Sequence, residues 1–319
     1  MREFAEKGAD IVKRTGGIGH HFLLFELEVA NGRFLRDRIG QVNNDSYKDT
    51  KMNPWQERNN TNNKVTGWLG NVRASLAFLS RLPAGDSEPQ RPLSDAMAGF
   101  GPAGAVIGAI AGCIAWASLA AGLPASMSAI IGVGALVAIS GALHEDGLAD
   151  TADGLGGWTR ERALEIMRDS RIGAYGVLAL VLVTALRIAA YDSLILAHGG
   201  FLDMVFIFSG TACLSRAALP YLLHAASPAR TDGQAAGAGR PDHQTVRSAI
   251  ISGLAIYGLF LWTAAGFFAA LAGAACAGLA VYCVLRLART RLGGMTGDVA
   301  GAAQQIGEVF ILSGLIIAG

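Results

Sequence analysis

Asp146, Asp150 and Asp153 are spaced i, i+4, i+7. On an α-helix, at about 100° per residue, they fall within an arc of roughly 60°. Three carboxylates on one face repel one another, and a divalent cation among them relieves that repulsion. Hard oxygen ligands of this kind suit Mg²⁺, which commonly takes one or two carboxylates plus water and substrate phosphate. The triplet spans about 10 Å at about 1.5 Å per residue, too far for one ion without bending. Two ions or a shared network is the alternative, and two ions about 4 Å apart suit in-line phosphoryl displacement. An ordinary solvated helix face is the competing explanation. Glycine is a poor helix former that lets backbone approach a ligand closely, so Gly147, Gly154, Gly156 and Gly157 count against it.

The same stretch, His144 to Gly173, carries seven of the chain's 25 acidic residues, together with Arg160, Arg162, Arg168 and Arg171. Arginine forks match phosphate oxygens, although Glu161, Glu165 and Arg168 also read as a self-neutralising exposed helix face. Two further polar segments bring related groups. One holds Arg230, Asp232 and Gly233; the other reads Gly293-Gly294-Met295-Thr296-Gly297-Asp298, with Glu308 further on. A glycine-rich turn ending in Asp is either only a turn or a source of backbone N–H groups for phosphate and one more carboxylate for metal.

These groups sit in an oily chain, 52% hydrophobic and only 16% charged, where soluble domains carry about 25% charged residues. Spans of about 20 apolar residues cross a bilayer. Residues 96–121, 125–143, 174–197 and 203–224 qualify. The run 249–288 divides near Gly266 to Gly273 into two more, and 306–318 makes a short seventh. The connections alternate in charge. Arg73, Arg81 and Arg91 precede the first span, and the segments near 160–171, 230–247 and 286–291 hold the other arginines named here, with Arg240, Arg247, Arg286, Arg289 and Arg291. The connections near 122–124, 198–202 and 266–273 contain no Lys or Arg. By the positive-inside rule this places the N-terminal region and all three polar segments in the cytoplasm. The fold class is therefore all-α: a polytopic membrane bundle of six to seven helices in the cytoplasmic (inner) membrane, with its chemistry on the cytoplasmic face.

Residues 1–66 read differently: polar, mixed in charge, asparagine-rich at the end, and without a signal-peptide pattern. They are read as a loosely structured extension, or as sequence upstream of the true start, ahead of a membrane-embedded domain, 67–319. His20 and His21 have no ligands spaced to help them. Arg73 to Leu82 predicts a short amphipathic helix closed by Pro83. The four cysteines lie in apolar runs and read as small buried hydrophobes. Net charge is +1, so nothing argues for nucleic acid. Arg187 is read as pairing with Asp192 or a neighbouring helix, and Arg216 as snorkelling or reaching a cytoplasmic pocket.

Phe78 to Pro83 (FLSRLP), Phe100-Gly101-Pro102, HEDGLADTADG followed by LEIMRDSRIGAYG, Ser215-Arg216, Ala229-Arg230 and GGMTGDVAGA with Glu308 together resemble the cobalamin synthase family, from about Trp68 to the C-terminus. The resemblance implies a Mg²⁺-dependent membrane transferase that joins the 5′-hydroxyl of α-ribazole (or its 5′-phosphate) to adenosylcobinamide-GDP and releases GMP. On that basis Asp146, Asp150 and Asp153 bind Mg²⁺, with Asp169, Asp298 and Glu308 as second-tier ligands or orienters. One of those three aspartates (Asp146, Asp150, Asp153), or His144, takes the hydroxyl proton, and Arg171, Arg216, Arg230 and Gly297 hold phosphate. Glu145 departs from the family pattern, is read as pointing away, and is left out of the site. Expected partners are the two substrates, the lipid bilayer, and either a second copy or other corrinoid-assembly enzymes. The rival readings are a CDP-alcohol-type phosphotransferase acting on another nucleotide-activated substrate, a transporter, and a purely structural membrane protein.

Overall fold

In the computed structural model of the chain, the described residues are 60–84, 92–230 and 237–319, the side chains of 60–66 excepted. The expectation of a loose extension, together with His20, His21, Arg91, Asp232 and Gly233, lies wholly or mainly outside them. Among the described residues the secondary structure is helical, with one isolated bridge between Pro228 and Met295.

Helix α1 (Asn60–Leu79) is longer than predicted and begins inside the asparagine-rich stretch. It stops short of Leu82, because the residue before a proline is pushed out of the helical region and Ser80 turns back to cap the Leu76 carbonyl at 2.6 Å. A short helical turn, Leu93–Ala96, and a 3-10 turn, Met97–Gly99, lead into α2 (Phe100–Ala120). After α3 (Ala125–Ser140) the chain bends by 90° into α4 (Leu143–Leu155). The bend is made by two consecutive left-handed residues, Gly141 (φ 63°) and Ala142 (φ 58°). Glycine tolerates that conformation, while alanine is strained in it by roughly 1–2 kcal/mol, so packing must hold Ala142 in place. The acidic stretch is thus largely a helix set across the end of α3 rather than a loop.

The chain continues through α5 (Arg160–Ile166), α6 (Ala174–Ala197), α7 (Phe201–Ala217) and α8 (Leu219–Ala225). Then come α9 (His243–Ala265), α10 (Phe267–Leu287) with a π turn over Ala288–Leu292, and α11 (Gly297–Ala318). The long apolar run breaks at Gly266 (φ 89°), inside the predicted window. The last helix corrects the reading of a short seventh span, since it runs for 22 residues. Its first twelve residues carry Asp298, Gln304, Gln305 and Glu308, which depress hydropathy and hide a full-length helix.

Among the described residues, six helices are long and apolar enough to cross a membrane, and seven if the bent α3–α4 pair counts as one span. Two of these are central. The apolar windows of Phe201–Ala225 and Gly297–Ala318 are 72% and 67% buried, against 22–39% for the other four. The outer helices show Leu182, Trp262 and Phe268 to the outside, as lipid-facing surfaces do. Small residues let the inner helices touch. A Cβ on Gly112 of α2 would lie 2.9 Å from the Met204 carbonyl of α7, and those on Gly104 and Gly108 would collide with the Ala212 and Phe208 carbonyls. Close backbone approach of this kind is how helices gain van der Waals contact where lipid removes the hydrophobic drive.

Candidate active site

The three polar segments are stitched together at one end of the bundle. Ala229 N–H donates to the Met295 carbonyl at 2.8 Å and Met295 N–H to the Ser227 carbonyl at 2.9 Å. Arg160 spans all three: its Nε donates to the Leu292 carbonyl at 2.8 Å and its Nη2 to the Ala229 carbonyl at 2.9 Å. Arg160, read from sequence as a phosphate-type fork, is engaged in this clamp.

Helix α11 starts at a Thr296 cap, whose Oγ1 accepts from Val299 N–H at 3.1 Å. That cap sets Asp298 in the first turn, where Arg230 Nη2 donates to it at 3.2 Å. Helix α4 crosses α11 at the same level. A Cβ on Gly147 would sit 2.6 Å from the Asp298 carbonyl oxygen, and one on Gly301 would sit 3.2 Å from the His144 carbonyl. Two glycines therefore let the backbones meet. Asp146, Asp153 and Asp298 all lie within electrostatic range of Asp150, as does Arg230. Carboxylates from distant parts of the sequence are thus brought into one acidic group.

Asp146, Asp298, Gly297 and buried His144 line one wall of an open cleft of about 660 Å³. The remaining wall is apolar. His144 Nδ1 is buried without a hydrogen-bond partner. Among the described residues no three His, Cys, Asp or Glu side chains close into a metal cage. The donor set still fits Mg²⁺, which asks for only one or two carboxylates: Asp146 and Asp298 share a wall, with Asp150 near both.

Other residues named from sequence lie elsewhere. Asp153 faces the start of α6: its Oδ2 accepts from Gly173 N–H at 2.7 Å and its Oδ1 from Gly176 N–H at 2.8 Å. Both oxygens thus satisfy otherwise orphaned helix N–H groups. Asp169 and Arg171 meet each other at the surface, at 2.7 Å. Bonding from Arg171 pulls the Asp169 carboxyl down to about 2. Arg216 is buried, donates to the Ala212 carbonyl at 3.2 Å and is not on the cleft wall.

Sequence reading missed a polar cluster beneath the acidic group. Arg187 of α6 donates to Glu145 of α4 (3.1 Å), Glu308 of α11 (3.1 Å) and Gln305 (2.8 Å). Tyr191 donates to Glu308 at 3.1 Å, and Gln304 joins Glu308 (2.8 Å) to Ser215 of α7 (3.1 Å). Glu145 therefore points into the bundle as a partner of Arg187, so the second of the two pairings read for Arg187, with a neighbouring helix rather than with Asp192, is the one the structure has. Glu308 is part of this cluster and lies off the cleft wall. The signal was present: a charge inside an apolar run demands a partner, and both Arg187 and Glu308 sit in such runs.

Fold and site define a class: an all-helical, polytopic membrane protein with an acidic-walled cleft where its polar segments converge. The chain belongs to the cobalamin-5-phosphate synthase family, whose pattern its residues 71–316 match. It is 40% identical over 257 residues to an adenosylcobinamide-GDP ribazoletransferase of Allorhizobium ampelinum, covering 80% of this chain and 99% of that one. It is 43% identical over 263 residues to the enzyme of that name from Azorhizobium caulinodans, covering 78% and 96%. The same-named protein of Brucella ovis is 38% identical over 261 residues, covering 79% and 98%. No solved structure matches the chain.

Proposed function

We propose that the acidic wall of the cleft is the centre of a Mg²⁺-dependent phosphoryl transfer. The chain is a transferase of the final cobalamin assembly stage, which combines adenosylcobinamide-GDP with α-ribazole or its 5′-phosphate and releases GMP. The observation that carries the site is the meeting of Asp146 and Asp298, from two distant segments, on one cleft wall with Arg230 bonded to Asp298.

In the reaction an acceptor oxygen bonds the phosphorus next to cobinamide, the bridge oxygen leaves with GMP, and the acceptor hydroxyl loses its proton. A 5′-phosphorylated acceptor has no free O5′. If both acceptors react at one atom, that atom is a secondary ribose hydroxyl rather than the 5′-hydroxyl. Such transfers depend mainly on positioning and charge stabilisation. Asp146, Asp150 and Asp298 would hold the cation, which when bound would offset charge on the transferring group. His144 or one of these carboxylates accepts the proton. Arg230 and the N-terminal turn of α11 at Gly297 orient phosphate oxygens. Asp153 acts through the backbone it anchors at α6.

The positive-inside pattern supports a cytoplasmic active face in the inner membrane. Association with a second copy or with other corrinoid-assembly enzymes belongs to the same reading and is open to co-purification. The direct test incubates membranes containing the full chain with adenosylcobinamide-GDP, α-ribazole and Mg²⁺ and follows cobalamin and GMP by chromatography. Product that depends on Mg²⁺ supports the reading; no GMP, or GMP formed equally with the cation chelated, overturns it. A CDP-alcohol-type enzyme would instead release CMP from a CDP-activated substrate, and a transporter would form neither product.

A further inference from the structure

The two substrates differ in chemistry, and the cleft is not neutral between them. Its apolar wall is built by Leu79, Met97, Phe100, Leu219, Leu223 and Ala238, contributed by four separate stretches of the chain. Among the described residues, the charged side chains on its lining are both acidic, Asp146 and Asp298, and no Lys or Arg lines it. A diphosphate has no complementary charge along that apolar wall. A corrin ring with its amide side chains is several times bulkier than a nucleoside and presents a polar amide rim, where the cleft offers an apolar wall.

We infer that the cleft is the acceptor subsite, its apolar wall taking the fused aromatic base of α-ribazole and its acidic wall meeting the ribose. The inference rests on the transferase reading above and adds to it which substrate occupies which surface. A ligand with an apolar flat end and a hydroxylated end matches a cleft that is apolar on one side and lined with hydrogen-bond acceptors on the other. His144 extends that polar wall, with its buried Nδ1 lacking a partner. The GDP-linked corrinoid then approaches from the Arg230 side, where Arg230 bonds Asp298 and the phosphorus can reach the ribose. The base pocket also accounts for selectivity. One methylene in an apolar pocket is worth about 10–200-fold in discrimination, so two ring methyl groups on the acceptor are a strong recognition handle.

The test uses the full chain in detergent, with KM measured separately for α-ribazole and for adenosylcobinamide-GDP. Ala238→Phe adds a ring at the half-buried rim of the cleft. It should raise KM for α-ribazole at least about tenfold, leave KM for the corrinoid within about twofold, and penalise an analogue lacking the two ring methyls less. Leu223→Ala removes side-chain atoms at another half-buried position, and serves where the bulkier variant does not accumulate. It should raise KM for α-ribazole at least about threefold and shrink the preference for the methylated base. An unchanged α-ribazole KM in a monodisperse variant, a rise confined to the corrinoid, or an equal rise in both overturns the subsite. Absence of GMP release from the wild type overturns the transferase reading itself, a different result from any of these.

Discussion

Asp146 and Asp153 belong to one motif on one helix, yet their surroundings divide their tasks. Asp146 is exposed on the cleft wall, whereas Asp153 spends both oxygens on the backbone of the next helix. Asp146→Asn and Asp298→Asn should each cut GMP release by at least about 100-fold while the protein still inserts, because each removes a carboxylate that would hold the cation offsetting charge on the transferring group. Retained turnover in either would sink the assignment of the acidic wall. Asp153→Asn keeps one acceptor oxygen of two and should destabilise the protein by about 0.5–2 kcal/mol, the usual range for a lost helix cap, visible as a lower unfolding midpoint in detergent. Asp169 is different again. Its carboxyl is held below its ordinary value, so the pairing with Arg171 is complete above about pH 4 and is lost as pH falls through about 2. Between about pH 5 and 9 that pair does not titrate. Asp169→Asn should therefore leave GMP release within about threefold of wild type and the shape of its pH profile unchanged, as a rate measurement across that range would reveal.

At the scale of elements, the site depends on how closely α4 can lie against α11. Gly147→Ala would put a methyl group 2.6 Å from the Asp298 carbonyl. Neither partner is a flexible side chain, so the helices must separate. The expected cost is about 1–3 kcal/mol, as for other overpacking changes, together with a larger loss of kcat than of stability, since Asp146 and Asp298 move apart. The cluster under them ties α4, α6, α7 and α11 through the hydrogen bonds of Arg187, Glu145, Glu308, Gln304 and Ser215, and Arg216 lies within electrostatic range of both glutamates, so the four formal charges cancel. Arg187→Met leaves two buried glutamates facing one buried arginine and should destabilise by about 3–5 kcal/mol. Adding Glu145→Gln should restore much of that loss, because Arg216 and Glu308 then balance and no buried charge is left uncompensated. Denaturant titration of the single and double variants reads the difference directly. The same elements mark what could be foreseen. The helical spacing of Asp146 and Asp150, the glycine-rich turn before Asp298 and the break at Gly266 are local patterns, and they were legible. The partners of Arg187 lie 42 and 121 residues away, and those of Asp153 lie on a chain return 20 residues later. Spacing carries no information about such contacts. The cleft's apolar wall was hidden for the same reason, since Leu79, Met97, Leu219 and Ala238 look like any other apolar residues until the fold gathers them.

At the scale of the whole molecule, the alternation of arginine-bearing and arginine-free connections makes a claim that packing alone does not. With α3 and α4 counted as one bent span, the described residues hold seven candidate crossings. An odd number puts the two ends of the membrane domain on opposite sides. The segments carrying Arg160, Arg230 and Arg289 then share the side on which α1 ends, and they are the segments that Arg160 and the Pro228–Met295 bridge hold together. Charge pattern and hydrogen bonding thus agree independently on which connections belong together, and only the compartment is left to measure. Trp158 is 98% exposed on the polar side, and Gly199 lies in an arginine-free connection. Trp158→Cys and Gly199→Cys, placed singly in a chain whose own four cysteines are replaced by serine or alanine, separate the two sides. In intact cells an impermeant maleimide should label Cys only in the Gly199 variant, and after lysis it should label both. The reverse pattern would put the cleft outside the cytoplasm and would overturn the proposed orientation of the acidic wall.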